Sequence, residues 1–155
     1  MGRVARGVRG IKLKATDEIA GLEMLEFDES MLLLTVTENG YGKRTAIDKY
    51  RVQGRGGQGV INMVVDDRNG MVVGSVQVHD TDLIMMMTNT GRVIKIPVTN
   101  IRETQSRAAK GVRLMRVEKD ERIVSVTRVV EPEEDDLEEN PIDVEEEATE
   151  VSTEE

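Results

Sequence analysis

Cysteine and tryptophan are absent from this chain of 155 residues, histidine occurs once, at position 79, and one Phe and two Tyr complete the aromatic set. Without cysteine there are no disulfides, no thiolate metal sites and no cysteine nucleophile. A lone imidazole leaves no second histidine ligand and no partner for a serine triad. No run of about 18 apolar residues is present, and Met1-Gly2-Arg3-Val4-Ala5-Arg6 has no apolar stretch behind its basic residues. Neither a membrane span nor a secretory signal is therefore expected, and a cytoplasmic location is. With so few rings, a core must be built from Val, Ile, Leu and the nine Met, which is thin for this length and suggests part of something larger.

Charge is unevenly distributed. Residues 131 to 155 contain fourteen Asp or Glu and no Lys or Arg, so that stretch carries -14, and the net charge of -9 leaves +5 on residues 1–130. A basic domain thus precedes an acidic tail, 131–155. Glu133-Glu134-Asp135-Asp136, Glu145-Glu146-Glu147 and two prolines leave the tail too little apolar surface to offset chain entropy, so it is expected to be disordered. It serves either as a solubilising end or as a regulator.

Internal repeats decide the architecture. Arg3-Val4-Ala5-Arg6-Gly7-Val8, Arg55-Gly56-Gly57-Gln58-Gly59-Val60 and Arg107-Ala108-Ala109-Lys110-Gly111-Val112 align at a spacing of 52 residues. Leu32 to Gly40 aligns with Leu83 to Gly91 at 51, and Ile19-Ala20-Gly21, Val72-Val73-Gly74 and Ile123-Val124-Ser125 recur in step. Within each repeat short β-branched or apolar runs are punctuated by Asn-Gly and Thr-Gly turn signals, which reads as strand. Strands are predicted near 8–14, 18–26, 31–37 and 43–48, then 59–65, 71–78, 82–88 and 92–97, then 111–117 and 122–130. Four strands in about 50 residues make a propeller-type blade, which buries its faces on its neighbours. The expectation is an all-β partial array of about two and a half blades, roughly 1–49, 50–101 and 102–130.

The connections between blades are polar, basic and rich in Gly or Ala: Lys49 to Gln58, and Arg102 to Lys110. The first repeat opens with Arg3, Arg6, Arg9, Lys12 and Lys14. Basic clusters that recur at the blade period align along one edge when blades stack, and a positive stripe suits a polyanion that follows the array. Arg and Lys supply charge, Gly lets backbone N–H groups approach phosphate, and no reading helix is present. The same residues would also suit turns on a solvated surface.

These segments resemble a known family, the C-terminal DNA-wrapping domain of the DNA gyrase A subunit, with its relative in the topoisomerase IV A subunit. Met1 to Ile11 is similar to a blade segment of that domain, and the resemblance covers residues 1–130. Gln53-Gly54-Arg55-Gly56-Gly57-Gln58-Gly59 keeps five of the seven positions of the family's box (Gln, basic, Arg, Gly, Gly, basic, Gly), and Gln105-Ser106-Arg107-Ala108-Ala109-Lys110-Gly111 keeps Gln, Arg, Lys and Gly. Both read as degenerate later-blade copies. The resemblance implies a β-pinwheel whose basic rim wraps duplex DNA in a type II topoisomerase that introduces negative supercoils at the expense of ATP. It further implies a cytoplasmic, nucleoid-associated protein working with the remainder of the gyrase A polypeptide and with the gyrase B polypeptide as an A2B2 heterotetramer, ATP and magnesium being bound elsewhere. This chain itself is expected to hold no cofactor, no metal and no catalytic residue. The DNA contacts are expected at Arg3, Arg6, Arg9, Lys49, Arg51, Gln53, Arg55, Gly56, Gly57, Gln58, Gly59, Arg107, Lys110 and Arg113.

The alternatives are the C-terminal domain of a topoisomerase IV A subunit and a fragment of a protein-interaction propeller, whose aromatic and Gly-His signatures are missing here. Gln53 to Gly59 lacks the Gly-Lys-Ser/Thr of a phosphate-binding P-loop, and one Arg-Gly-Gly without aromatic neighbours is a weak RNA tract. His79 with Asp80 and Asp82 reads as a strand-end turn before a metal corner, and Met85-Met86-Met87 as a strand alternating between two faces.

Overall fold

A computed structural model describes residues 3–25, 28 and 30–129. The acidic stretch 131–155, expected to be disordered, and Val130 lie outside the described residues. Two antiparallel sheets make up the regular structure. Strands β1 (Leu32–Thr37) and β2 (Tyr41–Ala46) form a hairpin, joined by β3 (Val72–Val78) and by the two-residue β6 (Val112–Arg113) in the order β3-β1-β2-β6. Strands β4 (Leu83–Thr88) and β5 (Val93–Pro97) form the second hairpin, joined by β7 (Ile123–Val129) in the order β5-β4-β7. Apart from β6, which has no counterpart, the two sheets are copies at a shift of about 51 residues. The hairpin turns end on Gly40 and Gly91, at φ +81° and +84°, and the register slips at Val36/Thr37 and again at Met87/Thr88.

Burial follows the stacking. Leu32, Leu34 and Val36 on one face of β1 pack with Ile84 and Met86 of β4, together with Val78, Val98, Ile101 and Ile123, in one apolar core between the sheets. The opposite face of β1 is covered as well: Leu33 packs with Met31 and Ile47, and Thr35 and Thr37 are fully buried. A strand buried on both faces has no solvent-facing side, which explains the unbroken run Leu32-Leu33-Leu34. Strand β4 is covered on one face only; Ile84 and Met86 are wholly buried while Met87 is 43 % exposed, so the three methionines do alternate between faces.

The sequence period is present, but the sheets do not follow the boundaries 1–49, 50–101 and 102–130. Each hairpin takes its third strand from the following repeat, and β6 comes from two repeats beyond β2. The strands expected at 8–14, 18–26 and 59–65 do not form among the described residues, and 111–117 yields only β6. The reason is pairing. A strand needs an edge to bond; Val112 and Arg113 find Gly42 and Tyr41, whereas residues 10–12 and 63–64 give their backbone bonds to loops of the next repeat. No helix of the described residues is long and apolar enough to cross a membrane.

Candidate nucleic-acid interface

The second and third of the recurrent Arg/Gly loops are held by equivalent bonds. Lys12 N–H donates to the Gly57 carbonyl (2.8 Å), Gly56 N–H donates to the Gly10 carbonyl (2.8 Å), and Ile11 and Gly57 form a parallel bridge. One repeat on, Val64 N–H donates to the Ala109 carbonyl (3.1 Å) and Met63 bridges Ala109. Both members of the Lys12–Gly57 bond are displaced by 52 residues in the second, so each loop docks on the segment that follows the loop before it. Gly7, Gly59 and Gly111, which end the three loops, lie at φ +79°, +74° and +77°, a region that strains other residues. At Gly111 a Cβ would also stand 2.5 Å from the Gly42 carbonyl oxygen. The recurring glycine is therefore a backbone requirement first.

The loop cations fall into two groups. Arg3, Arg6, Arg9, Arg51 and Arg55 are exposed, and among the described residues no carboxylate pairs with them. Gln58 is exposed too, and Gln53 folds back on its own loop, its amide donating to the Arg51 and Val52 carbonyls (3.2 Å each). Lys49 is exposed beside Asp48, at 3.2 Å. The other group is engaged. Lys110 Nζ lies 2.6 Å from the Asp66 carboxylate, and this contact holds Asp66 below the usual carboxylate range. Arg107, half-buried, donates through Nη1 to the Ile61 carbonyl at 2.6 Å.

Behind Arg107 lies a buried polar layer that the sequence does not advertise. Lys43 is 1 % exposed, donates from Nζ to the Thr45 hydroxyl (2.8 Å), and has no carboxylate partner among the described residues. Burial, and then the nearby Arg107 charge, push its ammonium down to about 8. Thr35, its cross-strand partner, accepts from the Asn62 amide (2.8 Å), and Asn62 accepts from the Tyr50 hydroxyl (2.5 Å). Burial raises the Tyr50 phenol above its ordinary range. Tyr50, at the start of the first inter-repeat connection, and Asn62, just beyond its end, are thereby tied to the sheet.

Arg113 is neither a free loop cation nor a buried one. Its Nε and Nη2 donate to the Tyr41 hydroxyl (3.3 and 2.9 Å), and its guanidinium lies 5.5 Å from the ring centroid, with that of Arg68 at 4.7 Å. Arg116 lines the same recess. Loop periodicity selects neither Arg68, hidden in the acidic turn Asp66-Asp67-Arg68-Asn69, nor Arg116. His79 is a strand-end turn, as the sequence suggests: its N–H donates to the Asp82 carboxylate (2.6 Å), which also pairs with Arg128 at 2.8 Å.

Residues 1–26, 32–78 and 82–129 match the family described as DNA gyrase C-terminal domain, beta-propeller. The chain belongs to that family. It is 47 % identical over 136 residues to the DNA gyrase A subunit of Salmonella typhimurium, covering 88 % of this chain and 15 % of the relative. Against the DNA gyrase A subunit of Staphylococcus aureus it is 39 % identical over 154 residues, covering 99 % and 17 %. The chain therefore spans about a sixth of the length of these curated relatives. Among solved structures it resembles a DNA gyrase A C-terminal domain, at 27 % identity and a TM-score of 0.59 over 64 % of this chain and 33 % of that one. The C-terminal domain of DNA topoisomerase IV shares the fold, with a TM-score of 0.71 at 24 % identity over 79 % of this chain and 38 % of that one.

Two of the family's segments each hold one hairpin and its returning strand, with β6 alone, inside 82–129, pairing into the other sheet. Segment 32–78 contains β1, β2 and β3, and 82–129 contains β4, β5 and β7. In this chain the break between the two strand-bearing segments falls at residues 79–81, out of phase with the loops.

Proposed function

We propose that this chain is a DNA-wrapping piece of a gyrase A polypeptide, laying duplex DNA along the edge formed by its repeat loops. The carrying observation is that Arg3, Arg6, Arg9, Arg51 and Arg55 are exposed without a carboxylate partner, among the described residues, on two loops 52 residues apart in the sequence, the second of which docks by backbone bonds on the segment that follows the first. A periodic positive edge attracts a rod-like polyanion through its backbone and leaves base sequence unread. Lys49, Gln53, Gly56, Gly57, Gln58 and Gly59 line the same connection, whereas Lys110 and Arg107 serve first as the ties that hold a loop in place. In the complete protein this edge would feed DNA to a cleavage site elsewhere in the gyrase A polypeptide, with the gyrase B polypeptide supplying ATP-driven strand passage in an A2B2 assembly bound to the nucleoid in the cytoplasm. The chain itself would need no cofactor.

The test is a titration of the full chain with short duplexes of unrelated sequence at several salt concentrations. With three to five phosphates neutralised, log affinity should fall against log salt with a slope of about -3 to -4.5. A flat response, or tight binding to one sequence alone, overturns the reading.

A further inference from the structure

One recess outside the loops gathers three arginines with no carboxylate in its lining. A cavity of about 210 Å³ is lined by Tyr41, Arg68, Arg113 and Arg116 with Asn39 and two apolar residues, and no carboxylate is among them. The three arginines come from separate places: Arg68 from the turn before β3, Arg113 from β6, and Arg116 from the segment after it. Two acids close to them in the chain are already committed, Asp66 to Lys110 at 2.6 Å and Glu121 to Arg92 at 2.7 Å. Like charges brought into one recess repel unless an anion joins them. Tyr41 is 5 % exposed, accepts hydrogen bonds from Arg113, and spends its own proton on no acceptor among the described residues. A tyrosine hydroxyl and arginines lining one small cavity supply the kind of donors that a tetrahedral oxyanion takes.

We propose that this recess seats one phosphate of a bound DNA backbone, with Arg68 and Arg116 contacting its oxygens, the Tyr41 hydroxyl donating to it, and Arg113 holding the ring in place. The assignment rests on the loop-edge reading. Position supports it, since Arg113 stands two residues beyond Gly111, and the Lys110–Asp66 pair joins the third loop to the turn that carries Arg68. The field in the recess has the required sign as well: Arg68, and then Arg113, hold the Tyr41 phenol below its ordinary range.

The test compares the full chain with its Arg68→Gln/Arg116→Gln double variant, which keeps Tyr41 and Arg113. Duplex DNA affinity measured across salt should give a slope shallower by about 1 in the variant, one phosphate contact having gone, at an unchanged melting temperature. Inorganic phosphate titrated into the wild-type chain should shift the Tyr41 ring and arginine Nε–H resonances saturably, and should not do so in the variant. An unchanged slope overturns the proposal. If phosphate still shifts those resonances in that case, the recess is a site for free anions and not for DNA. No DNA binding by the wild-type chain at any salt would instead remove the loop-edge reading and the DNA assignment with it, the phosphate titration alone then showing whether the recess holds an anion.

Discussion

Lys43 shows how a single buried charge sets a pH dependence. In the unfolded chain its ammonium titrates near 10.5, whereas in the folded protein burial and Arg107 bring it to about 8. Between those values the unfolded state binds more protons, so stability rises with pH across that window, and below about 8 the full cost of burying the charge is present. Lys43→Met, which keeps the apolar stem and removes the ammonium, should therefore stabilise the protein at pH 7 by about 1 to 3 kcal/mol. That gain should shrink as pH rises through 8 and be gone near 10.5, as urea unfolding at pH 7, 9 and 10.5 would report. Glycines allow a sharper contrast. Gly111→Ala meets both a left-handed φ and the Gly42 carbonyl and should cost about 1 to 3 kcal/mol. At Gly54 the new methyl meets nothing within 4 Å and φ is not positive, so Gly54→Ala should stay within about 0.5 kcal/mol of wild type.

Among the elements, the two box loops look alike in sequence and differ in use. Arg55 and Arg107 are equivalent by position, yet Arg55 is exposed, with no carboxylate partner among the described residues, while Arg107 bonds the Ile61 carbonyl beside the Lys43 layer. Arg55→Ala should weaken DNA binding and flatten the salt slope by about 1 with no loss of stability. Arg107→Ala should cost about 1 kcal/mol by leaving the Ile61 carbonyl without its donor, and the Lys43 amine should then titrate higher. Urea unfolding and an NMR titration of Lys43 would show both. The hairpins and the returning strands β3 and β7 were legible because alternation, apolar runs and Asn-Gly or Thr-Gly turns are local signals. The segments around 8–14 and 59–65 carry the same apolar composition, but whether they become strands depends on a partner edge contributed by another repeat, which no local pattern encodes. Arg68 and Lys43 escape a sequence reading for a related reason: one sits in a turn dominated by acids, the other on a strand whose neighbours give no hint that it points inward.

For the molecule as a whole, charge is segregated along the chain: +5 through residue 130 and -14 over 131–155. Carboxylates in direct contact with the loop edge would compete with DNA phosphates, and screening over about 8 Å at physiological salt confines that competition to close range. A chain ending at Val130 should bind duplex DNA more tightly than the full chain at low salt, the two converging as salt rises. Anisotropy titrations of both forms would decide it, and equal affinities at the lowest salt would leave the acidic stretch with no part in binding.

The borrowing of strands between repeats also sets a timetable for synthesis. Hairpin β1–β2 is complete when residue 46 emerges from the ribosome, yet β3 ends at Val78 and β6 at Arg113, and both are needed to finish its sheet. The apolar face of β1 has no cover until Ile84, Met86, Ile101 and Ile123 have been made as well. The first repeat therefore waits on the third, and nascent chains arrested short of residue 113 should stay sensitive to protease across the whole of β1 and β2. Chains released after residue 129 should become resistant in one step, because most of the N-terminal sheet is secured by residues made long after it.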